Sequence, residues 1–200
     1  MDKNAIENSI NVYIKENSNF DTHRDYLGLS KISGCPAAVY DEFKNGSSAS
    51  EQIYRMSYAG YEQERLIFDM LNKLGYARFP NNYCREVVAT FDKRLRGHID
   101  GETYDGNLLE IKSVSNAKFQ TIRSNKMALR NHYIQVQLYM LYGGYTEAWI
   151  VYRCRDTYEH FVVRIFFDRN QAMAAEYKAK RILEAIDKNE RPACECGHCR

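Results

Sequence analysis

Residues 96–114 read RGHIDGETYDGNLLEIKSV. Asp-Gly between two apolar-rich runs is a turn signal, so the stretch is expected to fold back on itself as two strands. Alternate side chains of a strand share a face, which sets Glu110 beside Lys112 and His98 beside Asp100. Whether the two pairs meet depends on register. A three-residue loop, Asp105-Gly106-Asn107, would set Glu102 opposite Glu110 and Asp100 opposite Lys112, all on one face. A two-residue turn at Asp105-Gly106 would send Asp100 and Glu110 to opposite faces. Convergence of the carboxylates therefore requires the longer loop or a bulge.

Glu110 and Lys112 are flanked by Leu108, Leu109, Ile111 and Val114, the pattern of a well-buried strand and a costly place for idle charge. Two converging carboxylates repel unless a cation lies between them, and an all-oxygen site suits Mg²⁺ or Mn²⁺. A lysine beside such a site can orient a water or stabilise charge developing on phosphorus. These parts suit phosphodiester hydrolysis.

Working outward, GYEQERLIFDMLNKLGY carries Leu66, Ile67, Met70, Leu71 and Leu74 at helical spacing, with Glu62 and Glu64 in its first turn and Gly75 ending it. Upstream, SKISGCPAAVYDEFKNG predicts a short helix with Ser33 as a possible cap and Pro36 in the first turn. Strands are expected over 85–91, 94–100 and 108–114. A helix follows in NKMALRNHYIQVQLYMLYGGY, then the strands EAWIVYRC and HFVVRIFF. Asp168 with Gln171 opens a final helix as a capping box. That order predicts an α/β fold in which a mixed central sheet is flanked by helices.

The chain has 200 residues, 44% hydrophobic and 27% charged, with a formal net charge of +2. One domain spanning 1–200 is expected, with a polar arm at 1–30. No apolar run approaches the roughly 20 residues needed to cross a bilayer, and the polar amino terminus does not read as a secretion signal, so a cytoplasmic protein is expected. The charge is too small to announce a nucleic-acid binder, and local distribution must decide. SVSNAKFQTIRSNKMALRNHY supplies Lys118, Arg123, Lys126 and Arg130 with Phe119, His132 and Tyr133 interleaved, a means of gripping phosphates and unpaired bases. Arg94 and Arg96 could extend that basic track or face solvent. No phosphate-loop motif is present, so any motor is another chain.

Six cysteines in a reducing compartment argue for metal ligation rather than disulfides. Cys194, Cys196 and Cys199 form C-x-C-x-x-C, and a tail at 192–200 could close against the helix after Cys35. Tetrahedral sulfur sites suit both zinc and iron–sulfur centres, and His198 is an alternative fourth ligand for zinc. Cys84 and Cys154, lying singly near strands, are expected to be buried thiols.

Glu64 four residues after Gly60, Asp100, the triplet Glu110-Ile111-Lys112, and Gln135 and Tyr139 in QVQLY resemble, in this order, the motifs of the PD-(D/E)XK nuclease superfamily and its RecB-like exonuclease branch. The resemblance runs from about residue 35 to the end and implies a restriction-endonuclease-like core. It implies Asp100, Glu110, the Ile111 carbonyl and Glu64 as ligands of Mg²⁺ or Mn²⁺, with Glu62 in reserve. Lys112 is the implied catalytic lysine, and Gln135 and Tyr139, one helical turn apart, complete the set. His98 is expected beside the site or in the core rather than on the metal.

The cysteine set also resembles an iron–sulfur subgroup of that branch, which includes the nucleases of CRISPR adaptation. Cys35, Cys194, Cys196 and Cys199 would then hold a [4Fe–4S] cluster, although the late spacing differs from the more usual C-x-x-C, and Zn²⁺ is the alternative. The implied activity is a metal-dependent deoxyribonuclease, an exonuclease acting on DNA with a single-stranded end in recombination, repair or foreign-DNA processing, with a helicase or recombination protein as a possible partner. The rival reading is a non-catalytic nucleic-acid-binding module with a metal-stapled terminus.

Overall fold

The computed structural model describes residues 3–18, 24–46, 50–79 and 86–199. Its elements are α1 (Lys3–Asn17), β1 (Leu27–Gly28), α2 (Pro36–Asn45), α3 (Glu51–Lys73), β2 (Ala77–Arg78), β3 (Glu86–Val88), β4 (Leu95–His98), β5 (Gly101–Thr103), β6 (Leu108–Val114), α4 (Asn116–Asn125), α5 (Arg130–Gly143), β7 (Glu147–Cys154), β8 (His160–Phe166) and α6 (Arg169–Lys188). Five strands form a mixed sheet in the order β2-β5-β6-β7-β8, in which only β6 and β7 are parallel. A smaller sheet, β1-β4-β3, lies apart from it. No helix among the described residues is long and apolar enough to cross a membrane.

Alternation along β6 and β7 divides the core. Leu108, Ala148, Ile150 and Tyr152 pack with Val136 and Tyr139 of α5, Phe119 and Ile122 of α4, and Ile182 and Leu183 of α6. Leu109, Ile111 and Val151 face the other way, onto Ile67 and Phe68 of α3. The central sheet is thus covered by helices on both faces, as its burial pattern requires.

The stretch at 96–114 departs from a simple hairpin. β4 pairs in the small sheet and β5 in the large one, so the chain passes between sheets at Ile99 and Asp100. The observed register is Glu102 opposite Leu108, not Glu110. The turn is Tyr104-Asp105-Gly106, closed by Thr103 N–H donating to Asn107 O at 2.9 Å. The loop is the longer kind, displaced by one residue toward the amino terminus, so parity is kept. Continued one step, this register brings Asp100 across from Glu110. Gly97 is needed here for a close approach: a Cβ at that position would lie 2.9 Å from the Tyr139 ring.

Other expectations shift in detail. The helix expected at 60–75 begins at Glu51, capped by Ser50, whose hydroxyl accepts from Ile53 N–H. Leu66, Met70 and Leu74, read as its apolar face, are exposed, because only the strip through Ile67, Phe68 and Leu71 meets the sheet. Cys35 rather than Ser33 precedes α2, with Pro36 at its first position. Within 1–30, residues 3–17 form the helix α1, packed along α3 with Tyr13 edge-on to Tyr58, and Leu27 and Leu29 are buried. Asp168 caps α6 through Asn170 and Gln171 N–H, but its own N–H donates to Gln137 Oε1 rather than to a capping-box glutamine.

Candidate active site

Beyond Leu109 the β5 side of β6 has no strand beside it, and the Asp100 carboxylate takes the vacant ladder position, accepting from Ile111 N–H at 2.7 Å. Glu110 is 1% exposed. One of its oxygens, Oε1, accepts from Gln135 Nε2 at 2.7 Å and lies 2.5 Å from Lys112 Nζ. Gln135 Nε2 also donates to Tyr139 OH at 3.2 Å, the two residues being one turn apart on α5. Lys112 Nζ reaches the Ile111 carbonyl at 3.1 Å and stands 3.8 Å from Glu64 Oε1 of α3. Glu64, Asp100, Glu110, Ile111, Lys112, Gln135 and Tyr139 therefore come together at one open strand edge, although they derive from three elements and one inter-strand step.

The carboxylates and the lysine perturb one another strongly. Burial first, then the Asp100 charge, pushes Glu110 up to about 8. Glu64 is pushed up to about 7, again chiefly by burial, with Lys112 opposing and Asp100 adding to the rise. Asp100 moves the same way, burial outweighing Lys112 and the Ile111 N–H. Burial alone would strip Lys112 of its proton, but Glu110, Asp100 and Glu64 hold its pKa well above the ordinary value. Three carboxylates thus share a single ammonium. Glu110 Oε2 is buried with no hydrogen-bond partner. An orphaned carboxylate oxygen among further oxygen donors fits a divalent cation by donor chemistry and by charge.

Other residues fall elsewhere. Glu62 pairs with Arg65 at 2.8 Å on the α3 surface, away from the lysine. His98 is exposed and 3.9 Å from Glu86, so it is neither core nor part of the cluster. Lys118, Lys126 and Arg130 are exposed, but Arg123 is engaged by Glu159 at 2.8 Å. Phe119 is fully buried and offers no face to a base; 116–125 is a helix whose inner side joins the core. Arg94 is forked between Asp92 and Asp187, and Arg96 contacts Asp25 and Glu86.

His132, half-buried one turn before Gln135, shares a 3.1 Å hydrogen bond with Tyr152 OH. Burial, then the charges of Lys112 and Lys118, bring its pKa down to about 4. A histidine depressed on folding contributes stability that is present above its unfolded pKa, about 6.5, and lost as pH falls toward 4. Unfolding by urea at pH 7 and 4.5 is expected to show a loss on the order of 2 kcal/mol from this group, absent in His132→Asn. An equal acid loss in the variant would assign the effect to another group.

Where the segment after α6 meets the start of α2, the Sγ atoms of Cys35, Cys194, Cys196 and Cys199 all lie within 4.8 Å of one another. Glu195 N–H donates to Cys35 Sγ at 3.3 Å, and Cys199 N–H to Cys194 Sγ at 3.3 Å. Four close thiols can bind a metal ion. Cys154 is buried as expected, and Cys84 lies outside the described residues.

No family model and no curated protein sequence matches the chain. Among solved structures it is similar to an alkaline exonuclease from Laribacter hongkongensis, at TM-score 0.60 and 14% identity over 82% of this chain and 89% of that one. The same exonuclease in complex with dAMP aligns at TM-score 0.61. The protein SSO0001 aligns at TM-score 0.60 and 17% identity, covering 97% of this chain and 93% of that one. The chain has a nuclease fold. Its mixed sheet flanked by helices is the restriction-endonuclease-like core, and the acidic cluster of this chain stands at the edge of β6 beyond Leu109.

Proposed function

We propose that the protein is a divalent-metal-dependent deoxyribonuclease, acting as an exonuclease on DNA ends. The observation that carries this reading is Glu110: a fully buried carboxylate with one oxygen unpartnered, set among Asp100, Glu64 and the Ile111 carbonyl, and neutralised only by Lys112. Exonucleases among the proteins of similar fold support it. Asp100, Glu110, Ile111 O and Glu64 would hold Mg²⁺ or Mn²⁺. Such a cation, when bound, supplies Lewis-acid stabilisation and lowers the pKa of a bound water. Lys112 is placed to orient the attacking water and to offset charge gathering on the phosphate oxygens. Gln135 fixes the Glu110 carboxylate by donating to Oε1, and Tyr139 fixes Gln135. The water oxygen bonds to phosphorus as the bond to the 3′ oxygen breaks, giving 5′-phosphate and 3′-hydroxyl ends.

For the cysteine cluster we propose a structural metal centre, with [4Fe–4S] implied by the resemblance. Zinc has one observation of its own: thiols within 4.8 Å of one another suit a tetrahedron whose edges are about 3.8 Å when Zn–S is about 2.3 Å. Iron, sulfide and zinc analysis of anaerobically purified protein decides between them.

The test of function is incubation of that protein with end-labelled single- and double-stranded DNA and Mg²⁺ or Mn²⁺. Metal-dependent release of label from one end supports the exonuclease reading. Protein that binds DNA and cuts none with either metal is instead a nucleic-acid-binding module.

A further inference from the structure

Arg153 on β7 is a buried arginine, 9% exposed, with no carboxylate paired to it among the described residues. Its Nε is buried and makes no hydrogen bond. A guanidinium cannot shed its charge, so burying it without an anion is expensive and points to a missing partner. Ser113 is its direct cross-strand partner on parallel β6. The Ser113 hydroxyl is likewise buried without a partner, as is the side-chain oxygen of Gln63. Ser113 and Arg153 lie two residues beyond Ile111 and Val151, which face α3, so all four share that face. Gln63 precedes Ile67 by one turn of α3, the helix whose Ile67 and Phe68 pack on that face. Gly60, a turn further back, has nothing within 4 Å of where a side chain would stand, so the helix is open there.

Tyr158 is the second, independent observation. It has φ +62°, a left-handed conformation that bulky residues rarely adopt and that tends to persist at ligand sites. That conformation sets its ring over the guanidinium, 5.0 Å from centroid to Cζ, while the side chain stays largely exposed. His160 lies across from Arg153 on β8, and its pKa is held below the ordinary value by burial and then by the Arg153 charge.

We propose that Arg153, Ser113 and Gln63 bind a phosphate group of a single-stranded nucleic acid, with an adjoining base stacked on Tyr158. The polymer's identity rests on the nuclease reading; the anion site does not. Ser113 and Arg153 stand at the carboxyl ends of the parallel pair β6–β7, Ser113 one residue past Lys112 on the opposite face. A strand wrapping the open edge would therefore place one phosphate at Lys112 and a neighbouring one here. The guanidinium fork matches two phosphate oxygens, and Ser113 donates a third hydrogen bond.

The test is fluorescence anisotropy of a labelled single-stranded oligonucleotide with the full chain carrying its cysteine-bound metal, across a range of salt, with no divalent metal added. Arg153→Met is expected to weaken binding tenfold or more and to flatten the log–log salt dependence by about 0.7, the value for one phosphate contact on a single strand. Arg153→Lys keeps the slope with a smaller loss. Tyr158→Ala weakens binding several-fold at unchanged slope. Wild-type affinity and slope in Arg153→Met overturn the proposal, as does protection of wild type but not Arg153→Met by inorganic phosphate when strand binding is equal in both, which identifies a free-anion site. If Arg153→Met fails to fold, Ser113→Ala and Tyr158→Ala decide by the same readout, and unchanged binding in both overturns it. Cleavage by wild type is read separately with Mg²⁺, so a failed nuclease reading is distinguishable from a failed phosphate site.

Discussion

Replacing Glu110 with glutamine is expected to lower metal-dependent cleavage by a factor on the order of 10³, while leaving the metal-free fold at least as stable as the parent. The two effects share one cause. Glutamine keeps the volume and an oxygen able to accept from Gln135, but removes the charge that a divalent cation would need. In the metal-free protein that charge is a liability: the carboxylate is buried, Oε2 has no partner, and its pKa is pushed up to about 8 by burial and by Asp100. A neutral isostere relieves that strain and gains on the order of 1 kcal/mol. Lys112→Ala should be equally inactive and opposite in stability, since it strands Glu64, Asp100 and Glu110 together with no cation, at a cost of about 2 to 4 kcal/mol. Added Mg²⁺ should raise the thermal midpoint of the wild type and of Lys112→Ala but not of Glu110→Gln. Cleavage rates and melting with and without Mg²⁺ check all three. Glu110→Gln cutting within tenfold of wild type would remove Glu110 from the reacting centre.

How far the sequence reveals this site is decided by the range of each signal. Charged residues inside the apolar run LLEIKSV were legible because burial and charge conflict within one strand, and Glu110 is indeed sealed. The helices bearing Glu64 and Gln135 were legible from apolar spacing, and the residues there arrive at one strand edge. The register was not. Loops at 105–107 and at 105–106 both satisfy local turn chemistry, yet the turn that forms is 104–106, set as β5 joins β2 while β4 joins β1, a long-range choice with no local mark. The same limit applies to the basic stretch. Lys and Arg spacing resembles a phosphate track, and what no local spacing shows is that Arg123, Arg94 and Arg96 each lie beside carboxylates, Glu159, Asp92, Asp187, Asp25 and Glu86. Conversely Arg153 sits in an ordinary strand pattern with no local mark, because only the folded protein reveals that it is buried with no counter-ion among the described residues. Exposed charge is common and says little about ligands. Buried charge without a partner is rare, and its cost must be met by something the sequence does not name.

Loss of the cysteine-bound metal should cost more stability than any single contact in the chain, about 3 to 5 kcal/mol and roughly 10 °C in melting temperature for a protein of this size. Without metal, the tail after α6 is held to α2 mainly by Arg191, which clasps Asp41 through contacts of 2.8 Å and 3.1 Å, and by Tyr40 OH at 3.4 Å from Asn189. Partly exposed ion pairs of this kind contribute little. The four thiols by themselves are mutually unfavourable as anions. Burial works to raise the Cys35 thiol, but N–H groups of Glu195, Cys196 and Ala37 and the Cys199 thiol outweigh it and bring it down to about 6, a ready thiolate. Cys199, hydrogen-bonded to the Cys196, Cys35 and Cys194 sulfurs, is instead pushed up to about 12. Only a cation lets all four deprotonate together, so its binding energy adds directly to the closure of residues 194–199 on Cys35. Cys35→Ser is therefore expected to release the metal and lower the melting temperature, while cleavage per folded molecule, measured well below that temperature, stays within a few-fold of wild type because Lys112 and Glu110 stand on a different edge of the fold. Retention of bound metal and unchanged melting in Cys35→Ser would detach Cys35 from the centre. Loss of cleavage in a variant still fully folded would instead tie the centre to the chemistry, and the two metal sites would have to be treated as one coupled unit.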